Sequence, residues 1–295
     1  MSVAVRLEDV AAKMETGERL SDEDIQALES GRDIITLGIV ADSVRRKLHG
    51  AATTYVRVLD LEPGRAAWPR EIPRSAGEVR IFATPAKLGE AVATVTEALE
   101  LAGSVPMSAF CLFELSKLPE GLPVVLHALK RAGLELITQA PLDRLKSPEH
   151  ALEAVTDAGL KLARLTINEA PEREWSSVCR EVSAHQRRLQ SIRAFAPLPR
   201  KIDQTQPTTG YADVKRVALA RLLIQNVDTI QVDWALYGPK LAQVALTFGA
   251  DDIDSVSAVD DDAQGHRRSP LEEIRRSIQA ASLTPLERDA RFTPV

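Results

Sequence analysis

A chain of 295 residues, 44% hydrophobic and 27% charged, has the composition of an ordinary globular protein with a sizeable core, not of a disordered or fibrous one. A formal net charge of -5 without a clustered basic stretch argues against a nucleic-acid surface or an acidic membrane face as partner. No run of roughly 18 uninterrupted apolar residues is present to span a membrane, and Glu8, Asp9, Lys13, Glu15 and Glu18 interrupt any signal-peptide core, so the cytoplasm is the expected location.

The first 50 residues read as a helical lead-in. Val3 to Thr16 has helical spacing, and Ser21 followed by Asp24 resembles a capping box opening the next helix. After His49-Gly50 the pattern changes. Thr53-Thr54-Tyr55-Val56-Arg57-Val58-Leu59 is rich in β-branched residues and alternates with period two, which predicts a first strand. Further strands are predicted at 79–83, 107–112, 134–138, 162–167, 192–196, 229–234 and 252–256. Amphipathic stretches of about 12 to 18 residues separate them, the pattern of βα units in a parallel sheet. With about eight strands, residues 51–295 are expected to close as a (β/α)8 barrel of the TIM type.

Local punctuation agrees with the helices. Lys87 to Leu101 places Leu88, Val92, Val95 and Leu99 on one face, while Pro123 to Arg131 and Pro148 to Ala158 each stop at a glycine, Gly133 and Gly159. Pro270 suits the first turn of a last helix. One connection breaks the rhythm: Leu61 to Gly77 holds Pro63, Pro69, Pro73 and two glycines, which predicts a loop where a crossover helix would be regular.

Several chemistries lack a mechanical basis. No Gly-x-Gly-x-x-Gly, P-loop or Gly-x-Ser-x-Gly elbow occurs. His49, His127, His150, His185 and His266 never fall within a helical turn of one another, so no metal site is expected. Asp251, Asp252 and Asp254 belong to the last predicted βα unit, and Asp260-Asp261-Asp262 reads as a solvated turn. The two cysteines, Cys111 and Cys179, are far apart in apolar contexts and read as buried free thiols.

Longer runs carry a resemblance. Thr208-Thr209-Gly210-Tyr211-Ala212-Asp213-Val214-Lys215, then 234–246 (WALYGPKLAQVAL), then Phe248-Gly249-Ala250-Asp251-Asp252-Ile253-Asp254, resemble segments of the radical-SAM enzymes of the futalosine route to menaquinone. Those are aminofutalosine synthase and cyclic dehypoxanthine futalosine synthase, and the deazaflavin-precursor synthases are similar too. Gly17–Ser21, Arg45–Gly50 and Pro285–Asp289 extend the likeness to most of the chain, strongest after Thr208 and including the region 200–295.

The resemblance implies a radical-SAM barrel using a [4Fe–4S] cluster and S-adenosylmethionine. It also implies a Cys-x-x-x-Cys-x-x-Cys loop after the first strand, to ligate that cluster. Here that segment, Leu61 to Gly77, contains no cysteine. The glycine-rich strand end that contacts S-adenosylmethionine in the family corresponds to Thr138-Gln139-Ala140-Pro141-Leu142-Asp143, and the family's Tyr-Gly-His to Asn168-Glu169-Ala170. No cofactor is therefore expected, and the chain reads as a degenerate, cluster-free member.

In a barrel of this type function lies at the C-terminal ends of the strands. The residues there are Asp60, Glu62, Thr84, Glu114, Gln139, Asn168, Glu169, Arg200, Asp203, Asp233 and Asp254. Glu169 and Asp254 are the candidate catalytic carboxylates. Arg65, Trp68, Arg70, Glu114, Gln139, Asn168 and Asp233 are candidate ligand-binding residues. Arg65, Arg70 and Arg74 either clamp a small anion or are surface arginines balanced by Glu62, Glu71 and Glu78; Trp68 either stacks on a ligand or plugs the mouth. Two functions follow as expectations. One is a cluster-free homologue acting in or beside menaquinone biosynthesis as partner subunit of a true radical-SAM paralogue, ligand carrier or regulator. The other is a barrel enzyme doing polar chemistry on a futalosine-like or other anionic small molecule.

Overall fold

The β-branched run after Gly50 forms the first strand, β1 (Ala52–Leu61), in a computed structural model that describes residues 7–18, 20–64, 68–169, 174–202, 208–259 and 270–295. Ahead of it lie α1 (Leu7–Thr16), α2 (Asp22–Ser30) and α3 (Ile34–His49). The expected capping box is present on α2: the Ser21 hydroxyl accepts from the Asp24 N–H, and the Asp24 carboxylate accepts from the Ser21 N–H at 2.8 Å.

After β1 come β2 (Glu78–Ile81), α4 (Leu88–Ala102), β3 (Met107–Cys111), the single turn α5 (Leu112–Leu115), α6 (Leu122–Arg131) and β4 (Leu136–Pro141). The second half holds α7 (Pro148–Asp157), β5 (Lys161–Ile167), α8 (Trp175–Leu189), β6 (Ile192–Pro199), α9 (Gly210–Leu223), β7 (Thr229–Asp233), α10 (Trp234–Leu246), β8 (Asp252–Ser257), α11 (Pro270–Ala280) and β9 (Thr284–Glu287). All eight predicted strands are found, and each pairs in parallel with its neighbour. β1 pairs with both β8 and β2, which closes the barrel.

Helices and strands bury complementary faces. Alternate strand residues such as Val79, Ile81, Ala109, Ile137, Leu165, Ile230 and Ile253 face outward into the helix layer, where they meet Val95, Leu126, Leu152, Val178 and Leu246. On α4 the fully buried line is Ala91, Val95 and Ala98. The larger Leu88, Val92 and Leu99, expected to face the core, are only partly buried, because the small residues bring the helix close to the sheet. Among the described residues of 62–77 there is no helix, as the prolines predict.

Two features lay outside the sequence reading. α10 breaks at Gly238, at φ +75°, just before Pro239, so its first turn and its body are separate segments. A ninth strand, β9, lies against the N-terminal half of β1, on the side that β2 occupies higher up. The Arg288 side chain then turns into the barrel floor, where Nε and Nη2 donate to both Asp252 oxygens at 2.5 and 2.8 Å. The Thr54 hydroxyl and the Gln231 amide reach the same carboxylate.

Candidate functional site at the barrel mouth

A closed barrel leaves its strands' other face pointing into the lumen, and here that face is ionic. Glu78 and Arg80 sit on β2, Ser108 on β3, Thr138 on β4, Arg164 on β5, Asp233 on β7 and Asp254 on β8, all buried. Arg80 is the hub. Its Nε and Nη2 each donate to a Glu78 oxygen at 2.9 Å, Nη2 also reaches Asp254 at 2.7 Å, and Nη1 donates to the Ser255 hydroxyl at 3.0 Å. The Ser108 hydroxyl donates to Glu78 at 2.5 Å and accepts from Thr138 at 3.0 Å. Arg164 ion-pairs with the other Asp254 oxygen and donates from Nε to the Thr138 carbonyl at 3.1 Å.

Towards the mouth the layer continues. Arg200, just past β6, donates to Asp233 at 2.7 Å, while Asp233 caps α10 by accepting from the Leu236 N–H at 2.9 Å. Ser255 joins the two acidic strand ends, its hydroxyl lying 3.0 Å from Asp233 and 3.3 Å from Asp254. Ser255 itself has φ +59° where the pairing of β8 with β1 slips by a residue, so a bulge aims this hydroxyl inward. A left-handed non-glycine residue costs roughly 1–3 kcal/mol and persists only when its surroundings fix it.

Charge placement sets the protonation. Burial alone would raise the Glu78 carboxyl, but the Arg80 guanidinium, with help from Arg164 and Ser108, reverses this and holds it at about 2. Asp233 is likewise lifted by burial and then lowered further by Arg200 and the Leu236 N–H. Arg164 is pushed down by burial and then by Arg80 and Arg200. At the end of β1, desolvation raises Asp60 beyond what Arg80 returns.

The sequence-derived candidates fall into separate groups. Asp233 and Asp254 share the lumen network. Glu169 is exposed at the rim, ion-paired with Lys201 at 2.8 Å, and the N–H groups of Asn168 and Glu169 both donate to Asp143. Glu114, paired with Lys117 at 2.7 Å, lines a cavity of about 430 Å³ over β1 to β3 together with Glu62, Phe82, Thr84 and Cys111. Gln139 pairs with Cys111 in the β3–β4 register. Trp68 packs half-buried against the core, whereas Arg70 is exposed. Arg65, Asp203 and Asp260–Asp262 lie outside the described residues. Arg80, Arg164 and Glu78 went unrecognised as lumen residues. The signal that marks them is a charge flanked by core residues, as in Val79-Arg80-Ile81 and Ala163-Arg164-Leu165.

Comparison with known proteins agrees with this architecture. Methylornithine synthase superposes with a TM-score of 0.66 at 13% identity, covering 94% of this chain and 97% of its own. The FeFe-hydrogenase maturase HydG of Carboxydothermus hydrogenoformans gives 0.63 at 12% identity, over 95% and 79%. Both share its fold. Residues 196–294 match the family described as the CofH/MqnC C-terminal region. Aminodeoxyfutalosine synthase of Thermus thermophilus is 25% identical over 98% of this chain and 96% of its own length. Its namesake from Streptomyces coelicolor is 35% identical over 30% of this chain and 24% of its own. A 5-amino-6-(D-ribitylamino)uracil–L-tyrosine 4-hydroxyphenyl transferase of Methanosarcina barkeri is 36% identical over the same shares. These likenesses agree with the resemblance to the radical-SAM group of the futalosine pathway that the sequence carries.

The group's cofactors do not fit the residues present. A site-differentiated [4Fe–4S] cluster takes three thiolates, and this chain has two cysteines in all. Cys179 is buried on α8 in the apolar layer between helices, its thiol pushed well up by desolvation. Cys111, at the end of β3, is also raised by burial. At the strand end that the resemblance gives to S-adenosylmethionine, the Thr138 carbonyl is already taken by Arg164.

Proposed function

We propose that this chain is a cluster-free barrel working in or beside menaquinone biosynthesis, binding a small anionic ligand at the mouth without radical chemistry. The observation that carries this reading is the donor set: two raised, widely separated thiols where the relatives' chemistry requires three thiolates in one loop. The resemblance to aminodeoxyfutalosine synthase over nearly the whole chain supports the pathway, and the role we assign within it is that of partner subunit to a true radical-SAM paralogue, ligand carrier or regulator. The buried arginines Arg80 and Arg164, with the partly exposed Arg200 nearer the mouth, support an anionic ligand.

The test is anaerobic reconstitution of the purified protein with iron and sulfide, followed by desalting. Bound iron is expected to stay far below one cluster per chain, without the visible absorbance of a [4Fe–4S] centre. A stable stoichiometric cluster, on this chain or shared with a partner polypeptide at the same mouth, sinks the reading.

A second reading, polar catalysis on the same kind of ligand, is favoured by the raised carboxyl of Asp60 beside Arg80, an acid able to carry a proton nearer neutrality than an ordinary aspartate. Glu169 and Asp254 remain its other candidate carboxylates.

A further inference from the structure

Exposed apolar side chains are ordinary when scattered, but several that adjoin mark a surface that another body covers. The outer face of α3 is such a place. Ile35 and Ile39, one turn apart, are 72% and 64% exposed, while Leu37, Val40, Ala41 and Val44 are buried towards the rest of the fold. Two more exposed side chains border them. Tyr211 donates its hydroxyl to the Arg32 carbonyl beside the start of α3. Val244 stands one turn before Phe248, whose ring comes so close to Gly38 that a methyl group there would lie 2.8 Å from it.

The charges on this face say what covers it. Asp42 is partly exposed, and its two oxygens accept from Arg45 Nε at 2.9 Å and Arg46 Nε at 2.6 Å, which leaves further lone pairs for another donor. Arg32, exposed just ahead of the N-cap Asp33, makes no ion pair with any described residue. Two copies of α3 laid antiparallel, Ile35 of one against Ile39 of the other, bring Arg32 of each copy level with Asp42 of the other. The helix dipoles then oppose, and the contact repeats itself across a two-fold axis, as a closed dimer requires. The neighbouring register, Ile39 against Ile39, sets Ile35 against Ser43 and brings Arg32 towards Arg46, two like charges.

We infer that α3 is a self-association surface: two copies of this chain pair about a two-fold axis through their α3 helices, Ile35 on Ile39 and Arg32 on Asp42. This lies beyond the proposed ligand role and does not depend on it. The four isoleucines supply the affinity by leaving water, whereas exposed ion pairs contribute little and fix the register. One helix from each copy covers a small area, which places the pair among weak, reversible dimers.

Sedimentation equilibrium of the full chain between about 1 μM and about 1 mM tests this. The wild type is expected to pass from monomer to dimer across that range. Ile39→Glu should weaken the dimer about a hundredfold while melting like the wild type, since the side chain it replaces faces water. Arg32→Asp and Asp42→Arg should each weaken it about tenfold. Mixed together, those two variants should associate as the wild type does, because each charge then meets its opposite. If Asp42→Arg fails to fold for want of its hold on Arg45, Ile39→Glu and Arg32→Asp still decide. A chain that stays monomeric throughout overturns the inference, as does a dimer that both of those variants leave intact. A mixture no tighter than its folded components overturns the antiparallel register.

Discussion

Replacing Arg80 by Met should lower the stability of the barrel by about 3–5 kcal/mol, the cost typical of removing one partner from a buried ionic cluster. Arg80 supplies two of the three hydrogen bonds on Glu78, one of those on Asp254 and the contact to Ser255. Without it Glu78 keeps only the Ser108 hydroxyl, and an uncompensated carboxylate sits where no water reaches. The penalty is therefore one of orphaned charge and not of lost attraction. It follows that Arg80→Met with Glu78→Met should recover much of the loss, since exchanging a whole buried pair for apolar side chains of similar volume is often neutral. Urea unfolding of the two variants measures both effects. A single-variant cost below about 1 kcal/mol would mean that the lumen is hydrated and the network optional.

Acid should find the same carboxylate. In the folded barrel the Glu78 value is held at about 2, against an ordinary 4.5. A depressed folded value means that the unfolded chain takes up the proton first. Glu78 therefore contributes its full stabilisation above about pH 5, and that contribution drains away as the pH falls towards 2. A shift of this size corresponds to about 3 kcal/mol. Asp60 and Asp251, whose carboxyls are raised by burial, act in the opposite sense, so the signature is read as a difference. Glu78→Gln should be markedly less stable than the wild type at pH 7, and the gap should narrow steadily between pH 5 and 2.5. Parallel stability curves over that range would show that Arg80 does not hold Glu78 ionised.

Much of this fold is written in short-range pattern. The strands are legible because Val, Ile, Thr and Leu recur with period two between helices that begin at Pro148 or Pro270 and stop before Gly133 or Gly159, and because eight such strands have one common solution. β9 is not legible in that way. Thr284-Pro285-Leu286-Glu287 is four residues long and contains a proline, so only its pairing with β1, more than 220 residues earlier, makes it a strand. The site was legible at its rim and obscure at its centre. Asn168 lies just past its strand, and Asp233, Asp254 and Gln139 lie in the C-terminal parts of theirs, where a search of strand ends reaches them. Arg80 and Arg164 look like the solvent face of a half-exposed strand, since alternation cannot tell water from the lumen of a closed barrel. Ser255 is invisible for another reason: a bulge changes which way a residue points, and its cause is the register between β8 and β1, not the local sequence.

The seam between the two ends of the barrel has a consequence for synthesis. The lower edge of β1 finds its partner only when residues 284–287 appear, and Arg288 then anchors the floor through Asp252. A ribosome delivers those residues more than 220 positions after β1, so until then the nascent sheet waits with an unsatisfied row of amides and carbonyls, open to pairing with another chain. Contacts this distant in sequence also close slowly. Residues 284–288 act as the clasp that ends that exposure.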